Sequence, residues 1–275
     1  RQARRGKADV ADSVVTSAST APAPAVEADP VAAEARGAEH HAAAWEFWRR
    51  IGAPRTVLAP MVNQSELAFR LLARERGAEL CFTPMLHSTL FAEQEAYRKE
   101  NFESCAHDRP LVTQFCGDDP ATLLAAARLA QAECDAIDLN CGCPQAIARR
   151  GHYGAFLLDE PELIVRIVRT LAAPGALHVP VCVKMRLLPS LDDTLALATA
   201  LQAAGASVLT VHGRTREQKC RVPTDWAAIG AIKAALSIPV IANGGIERPE
   251  DIGACLAATG ADAVMVSEAA LENPG

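Results

Sequence analysis

Eight short apolar or β-branched runs, each followed by a polar loop and then an Ala- and Leu-rich stretch, recur along this chain and leave few folds open to it. The runs are Thr56–Pro60, Leu80–Pro84, Leu111–Phe115, Ala136–Asn140, Val181–Met185, Ser207–Val211, Val240–Ala242 and Ala263–Val266. Between them lie helical stretches at Ser65–Arg76, Pro120–Ala132, Pro161–Ala172, Asp192–Ala204, Asp225–Leu236 and Pro249–Thr259. The connection from Leu86 to Arg109 is less regular and holds a further helix near Phe91–Asn101. A strand that reads as an unbroken apolar run is buried on both faces, as in a parallel sheet covered by helices. Eight such units predict an α/β fold of the (β/α)8 TIM-barrel type rather than an open doubly wound sheet. The chain stops just past the eighth run, at Asn273-Pro274-Gly275, so the closing helix and any domain after it are expected to be missing.

Composition narrows the function classes. Half the residues are hydrophobic and mean hydropathy is +0.08, which excludes a wholly disordered chain. No long apolar run is free of charge, so no membrane span is expected. The net charge of −6 argues against holding nucleic acid by bulk attraction alone and leaves room for a local basic patch. The 9 cysteines are odd in number and scattered through strand-like runs, the pattern of small buried hydrophobes in a reducing compartment. Residues 1–44, rich in Ala and Pro, are read as a disordered leader, and residues 45–275 as one domain. A start at Arg1 suggests a fragment. A cytoplasmic or nuclear monomer is expected, with organellar import left open by the Arg- and Ser-containing leader.

In a barrel of this kind the active site lies at the strand ends and the loops after them. Here those ends are polar: Ala59-Pro60-Met61-Val62-Asn63, Thr83-Pro84-Met85, Gln114-Phe115-Cys116-Gly117, Asn140-Cys141-Gly142-Cys143-Pro144, Lys184-Met185-Arg186, His212-Gly213-Arg214-Thr215, Asn243-Gly244-Gly245 and Ser267-Glu268. Gln, Lys, His and Asn from separate strands would converge on one cavity, where each group left unpaired costs about 1–3 kcal/mol. Glycine-rich loops after the seventh and eighth runs can hold a phosphate through backbone N–H groups. Lys184 beside His212 suits a group that gains negative charge in reaction, as a reduced flavin does. Flavin mononucleotide (FMN) has both features. Cys143, in a Gly-Cys-Pro turn over the mouth, is the cysteine expected to be accessible, with Cys141 its nearest competitor. A Cys, Lys and His set also suits acyl transfer or Schiff-base chemistry, so the thiol alone does not fix the reaction.

Three stretches carry a resemblance: Leu139-Asn140-Cys141-Gly142-Cys143-Pro144-Gln145, Ala148-Arg149-Arg150-Gly151-His152-Tyr153-Gly154-Ala155, and Val211-His212-Gly213-Arg214-Thr215-Arg216-Glu217-Gln218-Lys219. From Arg55 to Pro274 the chain resembles the tRNA-dihydrouridine synthase family, most of all its eukaryotic branch acting at D-loop positions 16 and 17. The resemblance implies an oxidoreductase in which NADPH, or NADH, reduces bound FMN and flavin N5 passes hydride to C6 of a uracil in tRNA. Cys143, by its motif position, would give the proton to C5. The resemblance further implies that Pro60, Met61 and Val62 contact the flavin, that Gln114 and Lys184 bond its pyrimidine edge, and that His212 sits beside it. Asn243, Gly244, Gly245, Ser267 and Glu268 would lie at the phosphate end. Asn140 would meet the substrate, and Arg149, Arg150, Arg214, Arg216 and Lys219 would face RNA phosphate.

Two departures stand out. Ser267-Glu268 replaces the Gly-Arg of many bacterial members, although the eukaryotic branch also has a glutamate in this neighbourhood, and an acid there cannot pair with phosphate. The early stop leaves out the helical RNA-binding domain that the family places after the barrel. The alternatives are a small-molecule flavin barrel of dihydroorotate dehydrogenase type, a silent RNA-binding protein, and a barrel fragment without function.

Overall fold

The structure is a computed structural model that describes residues 30–218 and 221–273, with side-chain surroundings from residue 37 onward. Helix α1 (Pro30–Arg50) leads into β1 (Thr56–Leu58), α2 (Leu67–Glu75), β2 (Leu80–Phe82), β3 (Leu86–His87), α3 (Ser88–Glu93) and α4 (Glu95–Asn101). Then come β4 (Leu111–Cys116), α5 (Pro120–Ala130), β5 (Ala136–Cys141), α6 (Ala146–Arg150) and α7 (Pro161–Leu171). The chain continues through β6 (Val181–Leu187), α8 (Leu191–Ala203), β7 (Ala206–Thr215), α9 (Trp226–Ala235), β8 (Val240–Asn243), α10 (Pro249–Thr259), β9 (Ala263–Val266) and α11 (Glu268–Glu272).

All pairings are parallel, and the sheet closes on itself because β2 pairs with both β1 and β4. The eight runs expected to be strands form this closed barrel, so the (β/α)8 reading holds. Strand β3 is an addition that pairs only with β4, Leu86 lying opposite Phe115. Several helices start on a residue whose side chain accepts from the first turn, as Asp119 does from Thr122 N at 2.7 Å and Asp225 from Ala228 N at 2.8 Å.

Strand alternation divides the side chains into two sets. Leu58, Cys81, Leu111, Phe115, Ile137, Leu139, Cys141, Val183, Met185, Leu209, Val211 and Val264 pack outward against the helices. Val57, Phe82, Val112, Ala136, Cys182, Val208, Ile241 and Ala263 pack inward around the barrel axis. Continuing each inward face by twos gives Val112, Gln114, Cys116 on β4 and Ala136, Asp138, Asn140 on β5. The same step gives Cys182, Lys184, Arg186 on β6 and Val208, Thr210, His212 on β7. The interior therefore passes from apolar at the strand starts to polar at the strand ends.

Helix α1 corrects the expected leader. Residues 30–44 are helical, not disordered, and the rest of the proposed leader lies outside the described residues. Alanine is the best helix former, so an Ala-rich stretch needs only a short apolar stripe to be held. Ala44, Phe47 and Trp48 supply it, buried at i, i+3 and i+4, and the two aromatics close the apolar end of the barrel axis. Trp45 Nε1 donates to Ser237 O at 2.7 Å, and the Lys233 ammonium sits 5.0 Å over the Trp45 ring. No described helix is long and apolar enough to cross a membrane.

Candidate active site

Two adjoining cavities of about 580 and 520 Å³ open at the polar end, sharing Arg186, His212, Ser267 and Glu268 in their walls. The larger is lined by Pro60, Met61, Val62, Gln114, Asn140, Cys143 and Lys184. The smaller is lined by Asn243, Gly244, Gly245 and Arg214. The structure thus brings together every residue expected to contact the cofactor. A smaller apolar-walled groove elsewhere, between α2 and α10, holds none of them.

Lys184 projects from the inward face of β6 and makes no hydrogen bond or ion pair among the described residues. Burial, then the neighbouring Arg186, lower its pKa to about 8, while Asp138 pulls it back up. His212, on the next strand, is pushed down to about 2 by burial and by the cations Lys184, Arg186 and Arg214, so it is neutral. Its Nε2 lies 3.2 Å from Arg214 Nη1 and must accept there, which places the ring proton on Nδ1. Gln114 and Asn140 are almost wholly buried and bonded to each other, Asn140 Nδ2 donating to Gln114 Oε1 at 2.8 Å.

Cys143 sits just beyond β5, where Asn140 Oδ1 accepts from the backbone N–H groups of Gly142 and Cys143 at 3.1 and 3.0 Å. Arg186 Nε donates to Gly142 O at 2.8 Å and ties the same loop to β6. Gly154, at φ 68°, lets the chain pass beneath, since a Cβ there would lie 2.7 Å from Cys143 O. His152 pins the segment from outside, Nδ1 against Asp118 and Nε2 against Glu160, each at 2.6 Å, and these contacts raise its pKa. Cys143 is half-buried and faces the cavity. Its competitor Cys141 has outward parity, is fully buried in the helical shell, and has its pKa driven up by that burial.

The residues expected to meet RNA are spread more widely. Arg149 and Arg150 end α6, exposed and outside both cavities. Arg216 is engaged by Asp159 at 2.6 Å, by Glu217 at 2.9 Å, and stacks 4.9 Å over Phe156. Arg214 belongs to the smaller cavity rather than to an outer rim. Lys219 lies outside the described residues. Sequence reasoning quoted Arg186 at a strand end without giving it a role, although it shares the inward parity of Lys184, and missed Asp138, which shares that of Asn140. It gave no role to Met85 and Cys116, quoted among the strand ends, or to Tyr153, quoted in a family stretch, and it missed His87 and Tyr97; all five wall the larger cavity on the cysteine side. Most of these come from the irregular connection after β2, where periodicity carried no signal.

The donor set fits FMN. A lone buried ammonium can meet a ring that becomes anionic, and Gly244 and Gly245, at φ 100° and 75°, leave a close approach that a side chain would fill. A Cβ on Gly244 would come within 2.7 Å of the His212 ring. Glu268 borders both cavities, so an anion there would depend on backbone N–H groups and on Arg214 and Arg248.

Fold and site together define a (β/α)8-barrel protein whose strand ends build a polar cleft at the barrel mouth. Residues 57–275 match the family model described as dihydrouridine synthase (Dus), and the chain belongs to that family. It is 51% identical over 235 residues to the mouse protein named tRNA-dihydrouridine(16/17) synthase [NAD(P)(+)]-like, covering 84% of this chain and 49% of that one. It is 48% identical over 237 residues to the Saccharomyces cerevisiae tRNA-dihydrouridine(16/17) synthase [NAD(P)(+)], covering 84% and 56%. The human protein named tRNA-dihydrouridine(20a/20b) synthase [NAD(P)+]-like is 39% identical, covering 79% and 69%. The chain thus spans about half the length of the 16/17 relatives. Among solved structures, the Amycolatopsis orientalis BexX/CysO complex shares the fold at TM-score 0.51 and 19% identity, over 80% of this chain and 83% of that one.

Proposed function

We propose that this chain carries the catalytic barrel of an FMN-dependent tRNA-dihydrouridine synthase that reduces the C5=C6 bond of D-loop uridines 16 and 17 at the expense of NADPH or NADH. The observation that carries the reading is the convergence of Cys143, Gln114, Lys184 and His212 on one cavity, the thiol arriving on a loop and the other three from the cavity-facing ends of β4, β6 and β7. Similarity to proteins named for positions 16 and 17 supports the choice of substrate.

Bound FMN would supply a hydride for the C5=C6 bond of the uracil. The chain's own groups do the rest. Lys184 and Gln114 would hold the electron-rich pyrimidine edge of the flavin, where a fixed cation and a fixed N–H can stabilise developing negative charge. His212, kept neutral, offers its Nδ1–H. Gly244 and Gly245, with Arg214 and Arg248 in the same cavity wall, would hold the phosphate. Cys143 gives its proton to C5, completing the addition of one hydride and one proton across the double bond. The uracil reaches this position only by leaving its stack, at a cost of a few kcal/mol. Arg149 and Arg150, with no ion-pair partner among the described residues, meet the RNA backbone.

Mapping of dihydrouridine in tRNA from cells with and without the protein tests the reading. Loss at positions 16 and 17 is expected. Unchanged tRNA, with turnover of dihydroorotate or another small pyrimidine by the purified protein, would move the chain to the small-molecule class.

A further inference from the structure

The hydrogen-bond chain below the cavity ends on a side chain that the reaction above does not use. Asp138 lies on the inward face of β5, fully buried, and its Oδ2 accepts from Gln114 Nε2 at 2.8 Å. Gln114 Oε1 accepts from Asn140 Nδ2 at 2.8 Å, and Asn140 Oδ1 accepts from Gly142 N and Cys143 N. Both ends of this chain have a fixed polarity. Backbone N–H groups only donate, so Asn140 must turn its oxygen to the loop and its nitrogen to Gln114. In its ionised form Asp138 only accepts, so Gln114 turns its nitrogen to it, the same orientation that the Asn140 end requires. A flipped Gln114 would set oxygen against carboxylate at one end and nitrogen against nitrogen at the other. An amide nitrogen carries two hydrogens, and Gln114 is part of the cavity wall, so its second N–H is left for whatever the cavity holds.

We propose that Asp138 is a positioning residue of this site: it locks the Gln114 amide so that a donor faces the pyrimidine edge of the flavin, and through Asn140 it steadies the loop that carries Cys143. The inference rests on the flavin reading given above and adds a residue to it.

Asp138 has a second effect, through charge. The groups around the Lys184 ammonium are Asp138 on β5, Arg186 on β6, Cys143 on the loop and His212 on β7. Asp138 is the carboxylate among them and favours the charged lysine. Burial holds the Asp138 pKa up at about 7, against the Gln114 bond and the Lys184 charge, which lower it. Replacing this carboxylate by an amide of the same shape leaves an acceptor for Gln114 but weakens that bond, because the amide is neutral and can turn an N–H against the Gln114 nitrogen, and it removes the charge facing Lys184.

The test compares wild type, Asp138→Asn, Gln114→Ala and the double variant by FMN dissociation constant across about pH 6 to 9 and by the midpoint potential of the bound flavin. Asp138→Asn is expected to weaken FMN binding roughly tenfold, as loss of one well-placed bond does. It should also make the potential more negative and move the alkaline loss of binding to lower pH. Because part of the Asp138 effect runs through the Gln114 contact and part through the charge on Lys184, the double variant should lose less affinity than the sum of the two single losses. Wild-type affinity and potential in Asp138→Asn, or additive losses in the double variant, would overturn the inference. Failure of the wild-type protein to bind FMN would instead overturn the flavin reading itself. Should Asp138→Asn not fold, Gln114→Glu carries the test. It sets two carboxylates together, which must share a proton, so its FMN affinity should rise as pH falls, and a pH-independent affinity would overturn the assignment.

Discussion

Lys184 and His212 show how one environment drives two bases in the direction that suits the site. Burial disfavours charge on both, yet the lysine starts four units higher and is still largely charged at neutral pH while the histidine is not. Since the Lys184 pKa is lowered to about 8, its charge is present below that pH and lost as pH rises through it. The kcat/KM of the enzyme is therefore expected to fall on the alkaline side with an apparent pKa near 8, and Lys184→Met should remove that limb along with most of the activity. Persistence of the limb in Lys184→Met would assign it to another group. Arg149 and Arg150 belong to a different term. Replacing both with Ala should weaken tRNA binding most at low salt and reduce the slope of log K against log salt by about 1 per residue. An unchanged slope would make them surface charges only. Among the cysteines, parity decides: Cys141 faces the helices, whereas Cys143, beyond the strand, is carried over the cavity by the Asn140 and Arg186 bonds to its loop.

At the scale of elements, the barrel strands were legible because each is an apolar run long enough to be buried on both faces, and the helices between them because proline and capping residues mark their starts. Strand β3 was not, since a two-residue pairing has no period to detect. Helix α1 was not, because alanine is read as neutral filler and its stripe is only a few side chains wide. Its aromatics nonetheless close the barrel floor, where Trp48 is 3% exposed. Trp48→Ala is expected to cost about 3–5 kcal/mol of stability, read from urea unfolding, with FMN affinity retained by the folded fraction. A change below 1 kcal/mol would mean that α1 is only loosely seated. Arg70 and Asp108, a buried pair at 2.7 Å that also engages Arg74, tie α2 to the connection before β4 and were equally hidden from periodicity. The cavity residues His87 and Tyr97 were missed, and Tyr153 given no role, for the same reason: contact between loops is a tertiary fact, and alternation within a strand says nothing of it.

The whole molecule is polarised along the barrel axis. One end is apolar and capped by α1, and the other is a layer of Gln, Asp, Asn, Lys, Arg and His whose desolvation is met by mutual hydrogen bonds and by the cavity they surround. Stability is concentrated at the first end and chemistry at the second. Under the proposed function, the net charge of −6 would leave attraction for RNA to local basic groups such as Arg149 and Arg150. The account depends on the thiol of Cys143 and the flavin facing each other across that mouth. Dihydrouridine formation in tRNA by FMN-loaded Cys143→Ala, measured by mass spectrometry beside Cys141→Ala, tests it most directly. The expected result is undiminished FMN binding in both variants, with activity reduced by about 10²–10⁴-fold in Cys143→Ala only. Wild-type activity in Cys143→Ala, or loss in Cys141→Ala instead, would contradict the account.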